Sequence, residues 1–175
     1  MQDNIQKIKD MIRNIPDFPK KGILFRDITT ALKDADTLKL TVDEIYEAFK
    51  NEKINYVAGI VSRGFIYGMP LAYKLGCGFI PVRKPNKLPA ETISQEYELE
   101  YGTDKIEIHK DALKKGDRVL IVDDLLATGG TAAAAASLIS PVADVIGMAF
   151  VIELEDLKGR DKLSKDIKVV SLVKY

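Results

Sequence analysis

The densest chemistry in the sequence lies in residues 119–131. An apolar run, Val119-Leu120-Ile121-Val122, leads straight into Asp123 and Asp124; Leu125 and Leu126 follow, then Ala127-Thr128-Gly129-Gly130-Thr131. Two carboxylates at the end of a buried strand have no polar place within a parallel sheet, so they must face a crevice. Carboxylates are acceptors, and they suit a ligand with neighbouring hydroxyls, such as ribose. The next five residues are the complement. Paired glycines let the backbone turn tightly and approach a ligand. The alanine-rich helix that begins there offers free N–H groups and a partial positive charge, worth about 0.3–1 kcal/mol per anion contact at an exposed site. Thr128 and Thr131 add hydroxyl donors. No Gly-Lys-Ser/Thr follows the glycines, so this is not a Walker loop. Either half alone could be a capped turn. Together, between a strand and a helix, they describe a sugar-phosphate site.

Two other groups of residues have the same flavour. Ser62-Arg63-Gly64 ends an earlier apolar run, and an arginine between small residues can lay its guanidinium on a diphosphate. Arg83, Lys84 and Lys87, interleaved with Pro85 and Pro89, form the one clearly basic cluster. In a crevice it would suit a ligand carrying several negative charges.

These residues must be held by the elements between which they fall. Residues 2–13 have helical apolar spacing, 14–22 hold two prolines and a glycine and read as a loop, and 36–49 form an amphipathic helix. Short apolar strands are expected at 56–62, 78–82, 119–122, 145–152 and 169–173. Helices are expected at 65–75, 130–139 and 158–163, with Gly76 and Ser140-Pro141 as stops. Residues 90–108 alternate loosely and are polar on both faces, which suits an exposed hairpin or flap. Strands alternating with helices imply an α/β fold with a mostly parallel central sheet flanked by helices. In such sheets ligands sit at the carboxyl ends of the strands, where all three groups above are placed.

The bulk properties narrow the class. A chain of 175 residues suits a single domain. Lys plus Arg and Asp plus Glu both number 26, which gives no sign of a nucleic-acid or membrane-surface partner. One cysteine, Cys77, allows no intramolecular disulfide, and one histidine, His109, makes a zinc site unexpected; both are read as structural. The start, Met1-Gln2-Asp3-Asn4, has no basic and apolar run, and no stretch is long enough to span a bilayer, so a cytoplasmic protein is expected.

Residues 119–131 resemble the phosphoribosyl-diphosphate motif of type I phosphoribosyltransferases, in the form found in the adenine-using members. Asp17-Phe18-Pro19, residues 22–28, Ser62-Arg63-Gly64-Phe65, residues 82–85 with Lys87-Leu88-Pro89, Leu99-Glu100-Tyr101-Gly102 and residues 157–160 match as well, in order. The resemblance implies one phosphoribosyltransferase domain with a small hood at about 1–35 and a flexible flap at about 84–110. It implies transfer of ribose 5-phosphate from phosphoribosyl diphosphate to adenine, giving AMP and diphosphate, with Mg²⁺ held mainly by the substrate.

By that resemblance Asp123 and Asp124 face the ribose hydroxyls, and Ala127, Thr128, Gly129, Gly130 and Thr131 hold the 5′-phosphate. Ser62, Arg63 and Gly64 form the diphosphate loop, joined by Arg83, Lys84 and Lys87, with Arg83 reaching the neighbouring site of a homodimer. Leu24, Phe25, Arg26 and Leu125 surround adenine: Phe25 and Leu125 cover its faces, and backbone groups of Leu24 and Arg26 read its edge. Glu100 exchanges a proton with a purine ring nitrogen as the catalytic acid or base. Tyr101 helps to close the flap, and water exclusion would protect an oxocarbenium-like ribosyl centre. Gly159-Arg160 is expected to pack under the base site. Val61 departs from the family pattern, in which an acidic residue often stands there. Two alternatives remain: an enzyme for another base, or a regulatory module that binds phosphoribosyl diphosphate without catalysis.

Overall fold

A computed structural model describes residues 2–98 and 102–175. Helix α1 (Gln2–Met11) leads into an antiparallel pair, β1 (Arg13–Pro16) and β2 (Leu24–Asp27), then α2 (Thr29–Lys33) and α3 (Ala35–Phe49). Next come β3 (Tyr56–Ile60), α4 (Gly64–Leu75) and β4 (Gly78–Val82). A hairpin follows, β5 (Thr92–Glu98) and β6 (Thr103–His109), and then β7 (Arg118–Leu126), α5 (Gly130–Ile139), β8 (Asp144–Glu153), two 3-10 turns and β9 (Lys168–Lys174).

The central sheet has the order β4-β3-β7-β8-β9, and every neighbour pair in it is parallel. Its strands read as continuous apolar runs because both faces are covered. Ile121, Met148 and Phe150 turn to one face, where α5 and β6 lie; Leu120, Val122 and Ala149 turn to the other, under α1, α3 and α4. The small side chains Ala132, Ala134 and Ala135 of α5 are buried against the sheet. Asp34 caps α3 by accepting from the Thr37 N–H at 2.8 Å. The helix α5 stops at Ile139, ahead of Pro141, as expected of a residue that cannot continue a helix.

Four expectations need correction. Residues 14–22 are not all loop, because β1 runs into them: its backbone pairs with β2, and Arg13 donates to Asp27 through Nε at 3.1 Å and Nη2 at 2.5 Å. The strand expected at 119–122 extends to Leu126, since its pairing with β8 continues through Asp123↔Phe150 and Leu125↔Ile152. The two aspartates therefore lie within the strand rather than beyond it. The short helix expected at 158–163 is a pair of 3-10 turns, Glu155–Leu157 and Gly159–Lys162, separated by Lys158 at φ 51°. The 90–108 hairpin is less exposed than its polarity suggests, because Ile106 and Ile108 are fully buried against the α5 face of the core.

Candidate active site

Three strand ends meet at one cavity of about 400 Å³. β3 delivers Ser62 and Arg63, β4 delivers Lys84, and β7 delivers Asp123 and Asp124, with residues 127–131 forming the remaining wall. This is the crevice at the carboxyl ends of a parallel sheet.

Asp124 is 5 % exposed, and its Oδ2 lies 2.7 Å from Nε of Arg63. Burial pushes the Asp124 carboxyl up, while the Arg63 guanidinium works against the rise. Asp123 is driven well above the ordinary carboxylate range by burial first and by the charge of Asp124 second. Two adjacent carboxyls thus resist ionising together, and a ligand that supplies hydroxyl donors would relieve them.

Arg63 and Gly64 approach Asp124 and Asp123 closely. A Cβ on Gly64 would lie 2.6 Å from the Val122 carbonyl oxygen and 3.1 Å from Oδ1 of Asp123, so only glycine permits this contact. The Val61–Ser62 peptide is cis. The Val61 N–H donates to the Val82 carbonyl at 2.9 Å. Backbone pairing beside β3 and β4 thus holds the start of this loop, and Val61 itself lines the cavity.

The turn before α5 has the shape expected of a phosphate cradle. Gly129 sits at φ 76°, and no side chain caps the helix, so the first-turn N–H groups stay available for an anion. Gly159 forms the floor. A Cβ on Gly129 would meet the Gly159 carbonyl oxygen at 2.1 Å, and a Cβ on Gly159 would meet the Ala127 carbonyl oxygen at the same distance. Residue 159 thus lies against the phosphate turn, where the sequence had suggested the base site. Arg160 points away from the cavity: it clasps Glu153 through Nε at 2.9 Å and Nη2 at 2.5 Å, and reaches the Val169 carbonyl at 3.1 Å.

The basic cluster divides. Lys84 lines the cavity, where Nζ bonds to Asp104 and to the Tyr97 hydroxyl at 3.2 Å. Burial lowers its affinity for the proton, but the two hydrogen bonds outweigh burial and hold the ammonium above its usual value. Arg83 and Lys87 lie outside the cavity, and Nη1 of Arg83 donates to the Lys87 carbonyl at 3.3 Å.

Of the residues assigned to adenine, Leu125 lines the cavity. Phe25 stands beside it, its ring centre 5.7 Å from Cζ of Arg63 and edge-on to Phe18 at 5.2 Å. Leu24 is 46 % exposed. The Arg26 guanidinium turns to the ring of Tyr175, 3.7 Å from its centre, which leaves only backbone groups of Arg26 for a ligand. Glu100 and Tyr101 lie outside the described residues. Two contributors escaped the sequence reading: Tyr97, which lines the cavity, and Asp104, which holds Lys84 there. His109 and Cys77 stand away from this cavity, and burial pushes the Cys77 thiol up.

The phosphoribosyl transferase domain profile matches residues 29–174. The adenine phosphoribosyltransferase of Acaryochloris marina is 59 % identical over 169 residues, spanning 96 % of this chain and 99 % of that one. The structure of adenine phosphoribosyltransferase from Thermoanaerobacter pseudethanolicus superposes with a TM-score of 0.94 at 54 % identity, covering 98 % of this chain and 99 % of the other. The Saccharomyces cerevisiae enzyme, solved with an imino-altritol bisphosphate and adenine, gives 0.92 at 42 % identity, with coverage of 98 % and 99 %. Similarity over nearly the whole chain means that it belongs to the phosphoribosyl transferase domain family and, within it, to the adenine phosphoribosyltransferases.

Proposed function

We propose that this chain salvages purine by transferring ribose 5-phosphate from phosphoribosyl diphosphate to adenine, forming AMP and diphosphate. One observation carries the reading at the level of chemistry: Asp123, buried Asp124, Arg63 and the open N-terminus of α5 converge on a single cavity.

In this reading Asp123 and Asp124 accept from the ribose hydroxyls and residues 127–131 donate to the 5′-phosphate. Arg63 leaves Asp124 for the diphosphate, aided by Ser62, Gly64 and Lys84. A purine ring nitrogen attacks the anomeric carbon, the bond to the diphosphate oxygen breaks, and diphosphate departs with the electron pair. Glu100 exchanges the proton with the purine, Phe25 and Leu125 cover the base, and Tyr101 helps to exclude water.

Mg²⁺ fits the donor set, because hard cations take one or two carboxylates together with substrate phosphates, and Asp123 and Asp124 are oxygen donors beside the diphosphate position. It would neutralise charge on the departing diphosphate. Among the described residues no group of three or more His, Cys, Asp or Glu side chains forms a metal cage, so the substrate would supply most of the ligands.

A homodimer is part of the proposal. Ile66, Met69 and Tyr73 form an exposed apolar stripe on α4, with Tyr73 89 % exposed. Arg83, outside its own cavity, would serve the partner's diphosphate. The cytoplasm is the proposed compartment; no helix among the described residues is long and apolar enough to cross a membrane.

The test is AMP formation from Mg²⁺, phosphoribosyl diphosphate and a panel of bases. Adenine should be strongly preferred. Faster consumption of hypoxanthine would overturn the base assignment, and tight substrate binding with no nucleotide formed would point to a regulatory module.

A further inference from the structure

Tyr97 and Asp104 face each other as a cross-strand pair in the β5–β6 hairpin. With Lys84 they close a triangle: Lys84 Nζ bonds to both, and the Tyr97 hydroxyl donates to Oδ2 of Asp104 at 3.2 Å. The members are held differently. Asp104 is anchored in its own strand, because its Oδ1 accepts from the Lys105 N–H at 2.8 Å. Lys84 carries a point charge on a flexible four-carbon stem, which changes partner readily. The triangle also sits at the site, since Lys84 and Tyr97 line the cavity that holds Arg63, Asp124 and the phosphate turn. A Cβ on Gly130 would lie 3.3 Å from the Glu98 carbonyl oxygen and 3.7 Å from the Tyr97 ring, so this end of the hairpin rests on the first turn of α5.

We propose that Asp104, seconded by Tyr97, is a positioning residue that competes with the substrate's diphosphate for Lys84 and so sets how tightly the site holds diphosphate. In the empty site Asp104 keeps Lys84 beside the cavity. A polyanion with several charges outbids one half-exposed carboxylate and takes the ammonium. When product diphosphate leaves, Asp104 takes Lys84 back, which eases release. Because Asp104 belongs to the hairpin, occupancy of the cavity and the hairpin's hold on the sheet become linked. The inference rests on the proposed reading of the cavity as a phosphoribosyl-diphosphate site.

The test measures inorganic pyrophosphate binding by calorimetry, and the KM for each substrate, in wild type, Asp104→Asn, Lys84→Met, the double variant and a control, Glu96→Gln. Glu96 is an exposed carboxylate in the same hairpin, so its loss changes net charge equally. Asp104→Asn should tighten pyrophosphate about two- to fivefold, the range open to a half-exposed ion pair. It should lower the KM for phosphoribosyl diphosphate, deepen product inhibition and leave the KM for adenine unchanged. Tyr97→Phe should shift the same constants less. In the Lys84→Met background, Asp104→Asn should do nothing further. Weaker or unchanged pyrophosphate binding in a folded Asp104→Asn protein overturns the proposal, as does equal tightening by Glu96→Gln or an undiminished effect without Lys84. Wild type that binds no pyrophosphate overturns the reading of the cavity, and the competition with it.

Discussion

The adjacent carboxylates ask to be tested through their protons. Asp123 is held well above the ordinary carboxylate range by burial and by Asp124, and acceptance from ribose hydroxyls is best served by the ionised form. The kcat/KM for phosphoribosyl diphosphate should therefore fall on acidification at a higher pH than a solvated carboxylate would dictate. Asp124→Asn removes one raising charge and frees Arg63, so the acid limb should move to lower pH even as substrate binding weakens. Stability should run the other way. A raised folded pKa means the native state binds more protons than the unfolded one between the two values, so this group's penalty is present above the folded pKa and fades as pH falls through it. pH–rate profiles beside thermal melts would check both signs, and an acid limb that does not move in Asp124→Asn would remove Asp123 as its source. Glu100→Gln should lower turnover by about 10²–10⁴-fold, the usual range for a general acid or base, with pyrophosphate affinity nearly unchanged; loss of affinity alone would take Glu100 out of that role. These two kinds of residue were unequally legible. Asp123 and Asp124 announce themselves because an apolar strand ending in paired charge needs a chemical reason. Glu100 is one glutamate among several in the polar stretch 90–108 of the sequence, and only the resemblance singles it out.

At the scale of elements, the apolar strands and their helices could be read because burial on both faces leaves continuous hydrophobic runs. What could not be read is pairing and proximity. Nothing local says that β7 continues through its aspartates, since the partner that extends it, β8, lies 27 residues further on in the register Asp123↔Phe150. Nor does local pattern make a strand of Arg13–Pro16, whose reason is the β2 backbone opposite. Gly159 is the sharpest case: its glycine character is demanded by Ala127 and Gly129, across the fold. We expect Gly159→Ala to cost about 1–3 kcal/mol, as overpacking against rigid backbone does, and to raise the KM for phosphoribosyl diphosphate more than that for adenine. Gly116→Ala is the comparison. Gly116 also has a positive φ, 90°, but a Cβ there meets nothing within 4 Å, so a loss of about 1 kcal/mol should come from conformation alone, with both KM values unchanged. Melting curves with paired kinetics separate the two, and equal KM changes would mean that Gly159 does not shape the phosphate turn.

At the scale of the whole molecule, the site is unevenly furnished. Lys84 faces the cavity of its own chain while Arg83, one residue earlier, lies outside it, and α4 carries uncovered Ile66, Met69 and Tyr73. Under the proposed homodimer, an arginine outside its own cavity and an apolar stripe facing solvent would both be accounted for by a second copy of the chain. A closed two-fold pairing would give each site Arg63 from its own chain and Arg83 from the partner. Light scattering should then report a dimer, and Tyr73→Glu should shift it towards monomer. Complementation is the stronger check. Arg83→Ala and Arg63→Ala homodimers would each lack one diphosphate arginine in both sites. Co-expressed, they form mixed dimers in which one site draws Arg63 from the first chain and Arg83 from the second, and the other site has neither. With random pairing half the dimers are mixed and half of their sites are intact, so about a quarter of wild-type activity should return. If Arg83 serves its own chain, no mixed dimer contains an intact site, and activity stays at the level of the single variants.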